Sequence, residues 1–427
     1  MADVEKMYRQ ILLHPSDRDF QRIMWSGEAS EPISEYQLTT VTYGLSCAPF
    51  LAVRCLLQLA EDEGKNFPLA AEVIKRNTYV DDLLAGEDSE ELLREKIEQV
   101  DSLFKAGGFQ LQKWAANSDS VLEDIPRDRQ QKVPKSFETD PVLRALGLIW
   151  NPVMDTFSIS SHQGVIAEAN PTKRSVLSLI SELFDPLGWM SPVLTTANVN
   201  LQALWTTNLQ WDDRLPEHLQ SRWKKIVGDL LTAETISIPR WLGTTSASIL
   251  EVHGFSDASQ DSLGAVIYIR VVDECFQAKC SLLIAKTKVA PLKKVTIARL
   301  ELSAAVLLAL LVQRTRSALE LSHVPTYLWV DSSVALTWIR GHPSRWKDYV
   351  SNRVTLIHDT VPSAKWRHVP GMDNAADLAS RGLSPQDLKK ADLWWRGPPW
   401  LELPSTNWPN QLFYSPYSAY SPARCQS

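Results

Sequence analysis

The 427-residue sequence holds only five cysteines, an odd number, and no Cys-x-x-Cys pair. That excludes a disulfide-stapled framework and a structural zinc site of the usual spacing, and it fits a reducing compartment. Long hydrophobic runs are missing too. The longest, Leu302 to Val312, is too short to span a bilayer and follows Arg299 and Glu301. The opening residues, Met1-Ala2-Asp3-Val4-Glu5-Lys6, have no apolar core and so no secretory signal. No Asp-Thr-Gly or Asp-Ser-Gly triplet occurs, which removes the aspartic-protease signature. There is no tandem repeat. These absences predict an intracellular protein, cytoplasmic or nuclear, with no membrane partner.

What is present describes a globular chain, 44% hydrophobic and 22% charged, long enough for two or three domains. Sixteen tryptophans are spread from Trp25 to Trp408. Charge is uneven. Residues 1–249 hold 24 basic against 35 acidic side chains, whereas residues 250–381 hold 16 against 12. The acidic total does not favour nucleic-acid binding, but the local basic excess permits it.

Four stretches follow from composition and periodicity. Residues 1–115 end near Gly107-Gly108-Phe109 and Lys113-Trp114. Residues 116–248 open with a polar, proline-punctuated segment (Asn117 to Pro141) and then read as helices over Lys173–Leu183, Thr195–Trp205 and Pro216–Leu231. Residues 249–383 read strand, strand, strand, long helix, strand, helix, helix, strand, helix, the alternation of an α/β layer. Residues 384–427, rich in Pro, Ser, Trp and Tyr, read as a tail that is extended over the surface or disordered. The expected fold class is a multidomain α/β and α+β chain with a helical connecting region.

Four acids stand out in the third stretch. Asp257 closes the strand Glu251 to Ser259. Glu301 shares a face with Ala305 and Leu308 on an almost wholly apolar helix, Thr296 to Leu319, where a lone ionised carboxylate is costly unless paired or bound to metal. Asp331 sits at the end of the strand Tyr327 to Val330, and Asp377 lies early in a last helix. Phosphodiester hydrolysis by two metals about 3.5–4 Å apart needs such a set of oxygen ligands from several elements. Singly, each acid reads as well as a helix cap or a solvated charge; it is their order on this strand–helix pattern that points to a metal site.

The quoted segments resemble those of a ribonuclease H domain attached to a retroelement reverse transcriptase: "FSDAS" (255–259), "IARLELSAA" (297–305), "LWVDSSVALTWI" (328–339) and "HVPGMDNAADLASRG" (368–382). The resemblance implies Asp257, Glu301, Asp331 and Asp377 as metal ligands, two Mg2+ (or Mn2+) ions per site, and cleavage of the RNA strand of an RNA–DNA hybrid. It also implies a product-release role for His368, which otherwise reads as a strand residue. Hybrid recognition would rest on phosphate and 2′-hydroxyl contacts. Lys286, Lys288, Lys293, Lys294, Arg340, Arg345 and Lys347 are candidates for it, each reading equally as a surface charge.

The first stretch can then be reread. Tyr79-Val80-Asp81-Asp82 lacks the Asn-Gly of a tight hairpin and resembles the reverse-transcriptase hairpin motif. Asp3 to Ile11 resembles the first catalytic strand, Tyr43 to Pro49 the glycine loop, and Gly107 to Trp114 the next palm motif. The resemblance implies Asp3, Asp81 and Asp82 as catalytic metal ligands. It places Tyr8, Gly44 and Lys113 at the nucleotide, with an RNA template, a DNA primer and deoxynucleotides as partners; Tyr8 reads equally as a core aromatic. "TKRSVLSLISELFDPLGWMSPV" (172–193), with "LQALW" before "LQWDDRLP", resembles the connecting region of Bel/Pao-type LTR retrotransposon polyproteins. The whole is therefore similar to a Pol fragment: a palm truncated ahead of Asp3 and lacking fingers, a connecting or thumb-like region, and a ribonuclease H domain, with the rest of the polyprotein as partner and a virus-like particle as a possible location. No integrase-like His/Cys cluster is present. The alternatives are a catalytically silent remnant that binds nucleic acid, and a related-fold hydrolase with another substrate.

Overall fold

The computed structural model describes residues 1–28, 30–131, 143–145, 148–159, 170–183, 185–231 and 236–411. It mixes helix and sheet and divides into two compact units, Met1–Phe157 and Ser158–Ser427.

In the first unit a thin antiparallel sheet runs in the order Thr78–Tyr79, Asp82–Leu83, Ala2–Val4, Leu111–Gln112. Three helices pack in the same unit: Ala48–Asp62, Pro68–Arg76 and Glu90–Ala106. The first buries Ala48, Ala52, Leu56 and Ala60, one stripe at i, i+4 spacing. The third starts at Ser89, whose hydroxyl accepts from the Leu92 amide at 3.2 Å, with Glu90 and Glu91 in the first turn and Lys105 in the last. Leu56, Leu103, Phe104 and Leu111 form the centre of its core. Burial pushes the Asp101 carboxyl up, but Arg129 and Lys105 together carry it below the usual carboxylate range.

The second unit is built on a five-stranded sheet in the order Ala278–Val289, Ser262–Val272, Ile249–Ala258, Thr326–Val330, Lys365–His368. The first three strands are antiparallel and the last two join in parallel. All eleven residues of Ser262–Val272 are buried, which requires cover on both faces. On one face Val252, Ile267, Ile269 and Leu328 meet Leu302, Leu308 and Val312 of the helix Ile297–Ala318, and Val354 and Ile357 of the helix Asp348–Thr360.

The other face departs from the sequence expectation. Residues 384–411 are not a surface tail. Trp394 and Leu401 are fully buried, and Trp400 and Trp408 pack on Trp329 at 4.8 and 5.9 Å between ring centroids. The Tyr268 hydroxyl donates to the Trp394 carbonyl at 2.7 Å, and the Arg270 guanidinium donates to Leu401 at 2.6 Å and Leu403 at 3.1 Å. The physical reason is that the sheet face carries His253, Phe255, Tyr268, Tyr327 and Trp329, a large aromatic area that the helix Ala375–Arg381 alone does not cover. The remaining tail residues, 412–427, lie outside the described residues, as does much of the polar segment before Pro141.

The helices Lys173–Glu182, Ser191–Trp205 and Glu217–Leu231, expected in a separate connecting region, belong to this same unit. They solve an edge problem. The outer strand Ala278–Val289 would expose unpaired amides; instead the Ala285 amide donates to the Leu187 carbonyl at 2.9 Å, and the Trp189 indole donates to Leu283 at 3.3 Å. Gly188 makes the approach possible. Its φ is 70°, and an added Cβ would lie 1.8 Å from the Ala285 carbonyl oxygen.

Candidate functional site

Three carboxylates from three elements converge at one end of the larger sheet. Asp257 comes from the central strand, Asp331 follows the parallel strand Thr326–Val330, and Glu301 projects from the first turns of the long helix. One carboxylate oxygen from each lies within 4.8 Å of those of the other two. Two of them, Asp257 and Glu301, are 4% and 7% exposed. Sequence explains the delivery: alternating apolar residues carry each strand through the core, and the acid sits where the strand leaves it.

The electrostatics are those of crowded, desolvated anions. Burial, with Asp257 and Asp331 as neighbours, pushes Glu301 up to about 9. Burial, then Asp331 and Asp377, pushes Asp257 up to about 6. Asp331 is raised by burial as well, against a hydrogen bond from Asn374. Like charges held this close favour protonation or a shared cation. Glu301 Oε2 is buried with no hydrogen-bond partner, an open oxygen ligand in the middle of the group. The donor set is all oxygen and anionic, so it fits a hard divalent cation.

Neighbouring side chains fix the acids. The Ser380 hydroxyl donates to Asp257 Oδ2, and the Ser380 carbonyl accepts from Ser259 and Ser262 at 2.8 and 2.5 Å. Asn374, fully buried, donates to the Ser256 carbonyl at 3.0 Å and accepts from the Ala376 amide at 3.2 Å, capping the last helix. Neither was singled out from the sequence. Their signal was position alone: Asn374 immediately before the helix and Ser380 one turn after Asp377.

Asp377 lies where expected, early in the helix Ala375–Arg381, and its charge acts on all three acids. Its carboxylate, however, is outside the close group and is paired with Arg381 at 2.5 Å. His368 Nε2 sits 3.0 Å from the Asp331 carbonyl oxygen, and burial lowers its pKa. Its backbone amide and carbonyl are both bonded to the side chain of Gln411, at 2.8 and 3.0 Å.

In the first unit Asp3 stands directly opposite Asp82 across adjacent antiparallel strands, and Val4 donates to the Asp81 carbonyl at 2.8 Å. Val80 forms the turn with φ 55°, a left-handed conformation that strains a β-branched residue. Burial raises the Asp82 pKa, helped by Asp81 and Asp3 and opposed by Lys113. The Lys113 ammonium meets Asp3 at 3.1 Å. Among the described residues the three aspartates form no group as close as that of Asp257, Glu301 and Asp331. Tyr8 is half-buried against the core, and Gly44, φ 95°, has open space where a Cβ would point.

Residues 172–332 match the family model described as the Pao retrotransposon-like RNaseH-like domain. The match takes in Asp257, Glu301 and Asp331 and begins at the helices that cover the sheet edge. No curated protein matches the chain. Two solved structures are similar to it. The foamy viral protease-reverse transcriptase in complex with RNA/DNA hybrid aligns at 14% identity with a TM-score of 0.50, covering 87% of this chain and 44% of that one. The same viral protein as a dRH form in complex with double-stranded DNA aligns at 13% identity and 0.49, covering 86% and 56%. The chain thus spans about half the length of the solved chains it resembles. The first of the two alignments supports a shared fold. No helix among the described residues is long and apolar enough to cross a membrane.

Proposed function

We propose that the second unit is a divalent-metal-dependent nuclease that cleaves the RNA strand of an RNA–DNA hybrid. The observation that carries this is the buried group Asp257, Glu301 and Asp331, drawn from three elements and left with an unpartnered oxygen on Glu301. Burying three acids without a cation would cost the fold several kcal/mol, so a group of this kind is retained for what it binds. Mg2+ or Mn2+ bound there supplies Lewis acidity toward a phosphodiester oxygen. The protein's part is orientation. Ser380 holds Asp257, Asn374 holds Asp331, and His368 stands beside the Asp331 backbone, where its ring can meet a phosphate group. Asp377 flanks the group and is the fourth candidate ligand once released from Arg381. A hybrid, rather than RNA or DNA alone, is the substrate class that the sequence motifs imply and that one solved neighbour holds.

No nucleotidyl transfer is assigned to the first unit, since among the described residues Asp3, Asp81 and Asp82 form no group as close as that of Asp257, Glu301 and Asp331. The test is direct. The full chain should cut a labelled RNA–DNA hybrid in Mg2+ and not in a chelator, and Glu301→Gln should abolish cutting. Cutting that persists in the variant overturns the site; no cutting by the native chain in either metal overturns the function.

A further inference from the structure

The helix Ser191–Trp205 and the edge strand Ala278–Val289 enclose a cavity of about 550 Å³ that the acid group does not use. Thr195, Asn198, Gln202, Trp205, Lys288 and Leu292 line it, and no carboxylate does. Three observations point to a ligand. Thr195 is 3% exposed, yet its hydroxyl has no hydrogen-bond partner. Trp205, with Lys173 over its ring at 5.4 Å and Trp211 against it at 5.3 Å between centroids, is still 47% exposed, and Leu292 is 64% exposed. Lys288 lines it and is exposed, and Lys286, Lys293 and Lys294, close to it in sequence, are exposed as well. An apolar ring wall beside ammonium groups is complementary to a nucleotide: a flat base against the indole, a phosphate against the lysine.

The location fits the same substrate as the acids. Thr287, which also lines the cavity, stands opposite Gly264, and Gly264 stands opposite Asp257. The three lie on one face of the sheet, and two strand spacings of about 4.8 Å put Thr287 roughly 10 Å from Asp257. The helix Ala375–Arg381 packs on Gly264 between them, so a strand engaged at the acids would pass over that helix to reach the cavity.

We propose that this cavity is a subsite for an unpaired nucleotide flanking the hybrid, with its base on Trp205 and its phosphate on Lys288. The proposal rests on the nuclease reading and deepens it. The test uses the full chain carrying Glu301→Gln, so that nothing is cut, and compares a blunt labelled hybrid with one bearing a short single-stranded overhang by fluorescence anisotropy. The overhang should tighten binding about tenfold. Trp205→Ala should remove that gain while leaving the blunt hybrid's affinity within about threefold, and Lys288→Ala should independently remove the gain. Lys288 is exposed, so its removal leaves the core intact. An overhang that adds nothing, or a gain that survives both substitutions, overturns the subsite. If the native chain cuts the blunt hybrid in that case, the nuclease reading stands alone; if it neither binds nor cuts, both fall.

Discussion

The two units each bring aspartates together, and they do it differently. In the second unit the acids come from two strands and a helix and sit at the end of a five-stranded sheet, with Asp257 and Glu301 buried and Asp331 partly so. In the first they sit on strands of two or three residues, and a lysine reaches one of them. A deep scaffold can hold anions against their own repulsion because its packing energy exceeds the electrostatic cost. A thin one relieves the repulsion locally, with a counter-charge. The difference teaches that adjacent acids are not in themselves a metal site; what counts is how closely and how deeply the fold gathers their oxygens.

That contrast can be broken most sharply by paired substitutions. Glu301→Gln should lower hybrid cleavage by about 10³-fold, as a lost ligand weakens both the hold on the metal and the electrostatic stabilisation that it supplies, while Asp3→Asn should leave it within about twofold. Equal losses would erase the distinction between the units. Next in size is the aromatic layer. Trp394→Ala removes a fully buried indole that donates to the Trp189 carbonyl, and it should destabilise the second unit by about 3–5 kcal/mol, read by chemical denaturation. A loss under about 1 kcal/mol would return residues 384–411 to the status of a tail.

The first unit offers a charge test of its own. Asp101 has a folded pKa below the ordinary aspartate value of 3.8. Its contribution is therefore present above that value and lost as pH falls through the folded pKa. Thermal melts of the native chain should show this loss below about pH 4. Asp101→Asn should already show it at pH 7, by about 1.5 kcal/mol after solvent screening, with a flatter acid limb. A variant that keeps the native acid dependence would remove Asp101 as its source. The smallest expected effect is at Ser380. Ser380→Ala frees the Asp257 carboxylate and should weaken Mn2+ binding by about 10-fold, in the range for residues that orient ligands, with the melting temperature in chelator unchanged.

Much of the second unit was legible in the sequence because each acid follows or begins an element with clear punctuation. Asp257 and Asp331 end apolar strands, Glu301 interrupts an apolar helix, and Asp377 follows an Asn cap. What was not legible depends on pairings far apart in sequence. Ser380 reaches Asp257 across 123 residues and Asn374 reaches Ser256 across 118. The tryptophans at 394, 400 and 408 have no periodicity; they look like a tail until Trp329 and Arg270 are seen to need them. The Leu187–Gly188 cover of the sheet edge was hidden for the same reason, since it is a backbone contact with Ala285. In the first unit the sequence showed which aspartates meet but not that Lys113 meets one of them, because Lys113 adopts φ 54° to leave its strand.

The central claim is that Asp257, Glu301 and Asp331 form a cage for divalent cations. Calorimetric titration of Mn2+ into the native chain and into Glu301→Gln tests it without reference to any substrate. Saturable binding to the native chain that is lost in the variant is the predicted result; indistinguishable isotherms for the two proteins would contradict it.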